Sequence, residues 1–142
     1  MDPQLLPFAE RQAPRYTSYP SANHFDASVN AETYGSWLRA LAPDTSLSLY
    51  LHVPFCRELC WYCGCNTFLT RGGDLSDFVS AIMMEIDLVA SKLGSHRVGE
   101  IHWGGGTPNV LSPEDFRRLV RQLHFWFDVG PAVAHAVALD PR

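Results

Sequence analysis

The sequence is poor in positive charge, has no long apolar run, and keeps every cysteine between positions 56 and 65. Each shortage excludes something. Eleven lysines and arginines stand against fifteen acids, for a net charge of −4. That leaves no basic footprint for nucleic acid or an anionic membrane surface. No apolar run reaches the roughly 20 residues that a membrane span needs. Residues 1–15 carry Pro3, Pro7, Glu10 and Pro14 and lack the apolar core of a signal peptide. These absences predict a cytoplasmic protein with no membrane or nucleic-acid partner, in a compartment that keeps thiols reduced. There is no internal repeat and no low-complexity segment. Only 18% of residues are charged, whereas 46% are apolar and 12% aromatic. That composition excludes disorder and supports a core. At 142 residues the chain is one domain at most.

Against these shortages stands one dense feature. Cys56, Cys60, Cys63 and Cys65 are all the cysteines, spaced C-x3-C-x2-C-x-C. They follow the segment Leu47-Ser48-Leu49-Tyr50-Leu51-His52-Val53, in which aliphatic residues alternate with polar or aromatic ones. A period of two is a half-buried strand. Pro54 ends it, because proline has no N–H for a ladder.

The rest of the chain reads as an α/β alternation. Residues 1–29 have little periodicity, and Pro14 and Pro20 suggest an extended arm. Asn30 can cap a helix with Tyr34, Trp37, Leu38 and Leu41 on one face, ended by Pro43 and Asp44. Asp74 is the expected N-cap of a long helix. Its apolar stripe is Leu75, Phe78, Val79, Ile82, Ile86, Val89 and Leu93, and Gly94 ends it. A second strand is expected over 98–103, with Ile101 and Trp103 on one face and Glu100 and His102 on the other. Gly104-Gly105-Gly106-Thr107-Pro108 breaks it. Ser112, Pro113, Glu114 and Asp115 make a strong helix start, with Phe116, Leu119, Val120 and Leu123 as its stripe. A third strand is expected over 132–139.

Strands alternating with helices predict a parallel sheet with right-handed crossovers. Helices must cover the aliphatic face. The face bearing Tyr50, Glu100 and His102 then turns toward the inside of a curved sheet or barrel. Cysteine loop and glycine turn both follow the C-terminal ends of adjacent strands, where functional groups collect in such folds. The expected division is an arm and helix over 1–46 and part of a barrel over 47–142.

Four clustered thiols in a reducing compartment point to a metal. A structural zinc site needs four N or S ligands, but usually joins two separated pairs. Disulfides are disfavoured by compartment. An iron–sulfur cluster takes thiolates from one loop. If three cysteines bind, one iron stays open to a substrate or cofactor. Spacing alone leaves cluster and zinc both standing.

The C-x3-C-x2-C of Cys56, Cys60 and Cys63 is the arrangement of the radical S-adenosylmethionine enzymes. The match goes further. Pro14-Arg15-Tyr16-Thr17-Ser18-Tyr19-Pro20, Leu49-Tyr50-Leu51-His52-Val53-Pro54-Phe55-Cys56, Cys60-Trp61-Tyr62-Cys63-Gly64-Cys65-Asn66, His102-Trp103-Gly104-Gly105-Gly106-Thr107-Pro108 and Asp140-Pro141-Arg142 together resemble the oxygen-independent coproporphyrinogen III oxidases. Cys65 separates them from the related haem chaperones, which usually carry Phe there.

The resemblance implies a partial (β/α) radical S-adenosylmethionine barrel, a [4Fe-4S] cluster and two S-adenosylmethionine molecules. It implies Cys56, Cys60 and Cys63 as cluster ligands and Cys65 as a non-ligand that matters for activity. Tyr50, Gly105, Gly106 and Thr107 match S-adenosylmethionine contacts, and Tyr62 an aromatic near the second such molecule. For the glycines, the expected physical reason is close backbone approach with free N–H groups. Core packing is the alternative for Tyr50 and Tyr62. The implied reaction turns two propionates of coproporphyrinogen III into vinyl groups, giving protoporphyrinogen IX, on the way to haem. The implied partners are the porphyrinogen and an electron donor such as a flavodoxin or ferredoxin, with the full-length protein a monomer.

Two features depart from the pattern. Where the family has Glu-Ile-Asp-Pro-Arg, this chain reads Ala138-Leu139-Asp140-Pro141-Arg142, so the carboxylate for the cofactor's amino group is missing. The chain also stops where the family continues, which predicts an N-terminal piece of the enzyme. A non-catalytic haem- or cluster-binding relative is the competing reading. Arg15, Arg57 and Arg71 are the arginines available for substrate carboxylates.

Overall fold

The structure, a computed structural model, describes residues 20–61, 63–70 and 75–140. Residues 14–19 of the arm, Arg15 among them, lie outside the described residues, as do Tyr62, Arg71, Asp74, Pro141 and Arg142.

Helix α1 spans Ala31–Arg39. Asn30 caps it as predicted, its side-chain oxygen accepting the N–H groups of Glu32 and Thr33 at 3.0 Å each. Strand β1 is Leu47–Val53, with the predicted bounds. Leu51 and Val53 are buried and Leu47 and Leu49 pack against the core, while Ser48, Tyr50 and His52 are exposed.

Helix α2 is Ser76–Leu93 and ends on Gly94 at φ 75°, a conformation that favours glycine. Its start differs from the expectation. Leu75 holds the capping position and makes no side-chain cap bond. Helix α3 is Pro113–Trp126, and Ser112 accepts the Asp115 N–H at 3.1 Å. Arg117 and Arg118 pair with Glu114 and Asp115 one turn back.

Strand β4 is Arg97–Gly105, longer than the predicted 98–103 at both ends. Strand β5 is Asp128–Val137 rather than 132–139. Gly130 and Pro131, both strand breakers, lie within it. Asp128 and Val129 nevertheless pair with Arg97 and Val98, and the register then slips before Ala134 meets Glu100. A proline fits such an irregularity, where no ladder N–H is needed.

The three long strands form a parallel sheet in the order β1-β4-β5. The core joins Leu51, Val53, Val98, Ile101 and Trp103 of the sheet to Val79, Ile86 and Ala90 of α2 and Leu119 and Leu123 of α3. Asp87 ties the helices together by accepting from Gln122 Nε2 and from Trp126 Nε1. The α1 stripe does not reach this core. Tyr34, Leu38 and Leu41 line a groove of about 640 Å³ against β1 and α2, and Tyr34 and Trp37 stay exposed. Among the described residues no helix is long and apolar enough to cross a membrane.

Candidate functional site

One face of the sheet carries no helix-facing residues. Strand register sets Ser48 beside Glu100, Tyr50 beside His102 and His52 beside Gly104. On the other side Ala134 meets Glu100 and Ala136 meets His102. Alternation brings Ala138 to the same face one step further, and its N–H donates to the Trp103 carbonyl at 2.9 Å. Tyr50 is 58% exposed on this face.

Tyr50 is held from several sides. Its hydroxyl lies 3.1 Å from His52 Nδ1, and its ring stands 5.7 Å from that of His102. The Ser48 hydroxyl donates to Glu100 at 2.7 Å. His52 and His102 were not singled out as site residues from the sequence. The signal that finds them is their position in the same alternation as Tyr50.

The glycine turn follows at the end of β4. A Cβ on Gly104 would lie 2.8 Å from Tyr50 Cε2, and one on Gly105 2.8 Å from His52 Cε1. Gly105 also has φ +101°, which side chains rarely adopt. A Cβ on Gly106 would fall 2.5 Å from the Phe55 carbonyl oxygen. The close approaches that glycine permits here are to this chain's own Tyr50, His52 and Phe55. The expectation of free N–H groups is corrected. Gly106 N–H donates to the Val53 carbonyl at 2.8 Å and Thr107 N–H to the Phe55 carbonyl at 2.7 Å.

The cysteine loop is bracketed by two short strands that the sequence did not reveal. Strand β2, Phe55–Cys56, pairs in parallel with strand β3, Phe68–Leu69. Phe68 N–H donates to the Pro54 carbonyl at 2.7 Å and Thr70 N–H to the Cys56 carbonyl at 2.9 Å. Phe55 packs edge-on against Phe78 of α2 with ring centroids 5.0 Å apart. Both ends of the loop are thus fastened to each other and to the core.

Cys56 sits in this bracket, half-buried, with its Sγ 3.0 Å from Thr107 Oγ1. Cys60 is also half-buried, and the Cys63 N–H donates to its carbonyl at 3.0 Å. Cys63 and Cys65 are exposed. None of the four is in a disulfide. The structure does not draw them together: among the described residues no three His, Cys, Asp or Glu side chains stand where they could hold a metal ion. The donor chemistry nevertheless suits an iron–sulfur cluster, with thiols on one loop at the C-terminal end of the sheet. Thr67 Oγ1, in the same loop, is buried without a hydrogen-bond partner.

No protein-family profile matches the chain. Individual relatives do. The oxygen-independent coproporphyrinogen III oxidase of Bradyrhizobium diazoefficiens is 47% identical over 137 residues, which is 95% of this chain and 30% of the relative. That of Escherichia coli is 38% identical over 132 residues, 91% of this chain and 28% of the relative. The solved structure of coproporphyrinogen III oxidase from Escherichia coli, described as a radical SAM enzyme, superposes with a TM-score of 0.80 at 35% identity. It covers 89% of this chain and 29% of that one. Over these residues the chain is similar to the oxygen-independent coproporphyrinogen III oxidases. It spans about 30% of the length of the curated relatives it matches. The cysteine loop, the glycine turn and the open face of the sheet all fall within the region shared with these oxidases.

Proposed function

We propose that this chain forms the cluster-holding and S-adenosylmethionine-holding part of an oxygen-independent coproporphyrinogen III oxidase. The supporting observation is the junction of the two distinctive loops: Cys56 Sγ meets Thr107 Oγ1 at 3.0 Å, at the ends of adjacent parallel strands. Residues 1–46 are an arm with one helix, and residues 47–142 belong to the barrel.

In this reading Cys56, Cys60 and Cys63 hold a [4Fe-4S] cluster, and Cys65 remains a free thiol beside it. When bound, that cluster supplies one electron that splits S-adenosylmethionine and starts the oxidative decarboxylation of two propionates of coproporphyrinogen III. Cys56 is the ligand fixed in advance by β2. Cys60 and Cys63 would supply the other two thiolates from the loop between β2 and β3. Tyr50 is presented to the first S-adenosylmethionine on the open sheet face, its hydroxyl oriented by His52. Gly105, Gly106 and Thr107 would bring the chain close to the cofactors, and the resemblance assigns Tyr62 to the second. With the Gly106 and Thr107 N–H groups occupied by Val53 and Phe55, contact there comes from other atoms of the turn. An external donor of the flavodoxin or ferredoxin kind reduces the cluster, and the full-length protein works as a cytoplasmic monomer.

Anaerobic reconstitution tests the reading. It should load about four irons per chain, as one cubane needs. Cys56→Ala, Cys60→Ala and Cys63→Ala should each abolish loading, whereas Cys65→Ala should retain it. Equal iron loss in all four variants, or a colourless zinc-filled protein, would overturn the assignment.

A further inference from the structure

The four cysteines are not equivalent. Cys56 alone lies in a strand, its backbone carbonyl engaged by Thr70 and its sulfur by a side chain on a different loop. That side chain belongs to Thr107, which is only 8% exposed. Thr107 is itself fixed: its N–H donates to the Phe55 carbonyl at 2.7 Å, and its carbonyl accepts the Val110 N–H at 2.9 Å. Pro108 follows directly and is fully buried. The hydroxyl therefore has little freedom to leave the sulfur.

We infer that Thr107 is a positioning residue for Cys56, its hydroxyl donating a hydrogen bond to the Cys56 thiolate and tuning that one cluster ligand. This rests on Cys56 being a cluster ligand, as proposed above. The direction of the bond follows from chemistry. In the neutral pair either atom can donate. A metal-bound thiolate has no proton, so the hydroxyl must then be the donor. Hydrogen bonds to ligand sulfurs withdraw electron density and are among the features that set cluster potentials. The bond also holds the sulfur at the mouth of the glycine turn while the rest of the loop gathers. Thr107 thus acts through its side chain on the cysteine, a role separate from any cofactor contact made by the turn.

The test uses the full chain with Thr107→Val, which keeps the shape and removes the hydroxyl, and Thr107→Ser, which keeps the hydroxyl. Two measurements are made. In the reconstituted protein, a redox titration followed by electron paramagnetic resonance reads the cluster potential at matched iron content. Thr107→Val should make reduction harder, lowering the reduced-to-oxidised ratio at fixed potential by about tenfold, equivalent to 59 mV for a one-electron couple. Thr107→Ser should return it to the native value. In the metal-free protein, infrared spectroscopy reads the S–H stretching bands. Thr107→Val should shift one band, the same one that Cys56→Ala removes, and Thr107→Ser should leave it in place. An unchanged potential in Thr107→Val with native circular dichroism would overturn the inference. So would an unmoved Cys56 band. If the native chain loads no iron, the cluster reading fails, and the infrared arm still decides whether the hydroxyl holds the sulfur.

Discussion

Alanine at Gly106 should cost far more than alanine two residues earlier at Gly104, although both glycines are crowded. A Cβ at Gly106 would meet the Phe55 backbone: oxygen at 2.5 Å, nitrogen at 2.8 Å and carbonyl carbon at 2.9 Å. No rotamer relieves a clash with backbone, so the turn must lift off β2. That breaks the bonds from Gly106 N–H to Val53 and from Thr107 N–H to Phe55. Each is worth about 0.5–1.5 kcal/mol net, and more where a buried partner is left unpaired. Replacing glycine restricts the unfolded chain and returns about 0.4–1 kcal/mol. The expected net loss is up to about 2.5 kcal/mol, and larger where an unpaired buried group adds its desolvation cost. At Gly104 the new Cβ would meet the tip of the Tyr50 ring at 2.8 Å. That ring can turn away, for about 0.5–1.5 kcal/mol if it leaves its rotamer well. The same unfolded-state gain nearly cancels this, so Gly104→Ala should be close to neutral. Urea unfolding followed by far-ultraviolet circular dichroism measures both variants against the native chain. Equal stability for the two alanine variants would refute the reasoning, because it would mean the Gly106 approach to Phe55 is not a tight one.

Asp87→Ala should destabilise the α2–α3 contact by roughly 1–3 kcal/mol, because the donors on Gln122 and Trp126 lose their shared acceptor; a change in Trp fluorescence on unfolding would report it. Ala138→Glu should restore a carboxylate on the open face with Tyr50 and His102. A charge-assisted bond of about 1.5–3 kcal/mol to the cofactor's ammonium should tighten S-adenosylmethionine binding roughly ten- to a hundredfold. Calorimetric titration of cluster-matched samples checks this, and unchanged affinity would show that another group already holds the ammonium.

What the sequence revealed depended on how local each signal was. Strand β1 was legible to the residue because seven alternating positions end at a proline. The α3 start was legible because Ser112, Pro113 and two acids act within one turn. Strand β5 was misplaced because Gly130 and Pro131 are local breakers, and only pairing with Arg97 and Val98 carries the strand through them. The β2–β3 bracket left no local trace. Two residues have no period, and their partners lie across the whole cysteine loop. The same limit applied at the site. Cysteine spacing pointed to a thiol-bound metal with cluster and zinc both open, and alternation set Tyr50 on the face of Glu100 and His102. That Gly106 and Thr107 give their N–H groups to Val53 and Phe55 could be seen only once β1, β2 and β4 were set side by side.

The bracket has a thermodynamic consequence. With Pro54, Cys56, Phe68 and Thr70 already joined across it, the loop between is a closed ring whose end-to-end entropy is lost before any ligand arrives. A ligand gathered by the thiols therefore has to order only the ring's interior. By linkage, whatever it gains by ordering that interior it returns as tighter pairing of the two strands. Phe55 lies in one of those strands and rests on Phe78, so tighter pairing of the two strands would bear on the N-terminal end of α2.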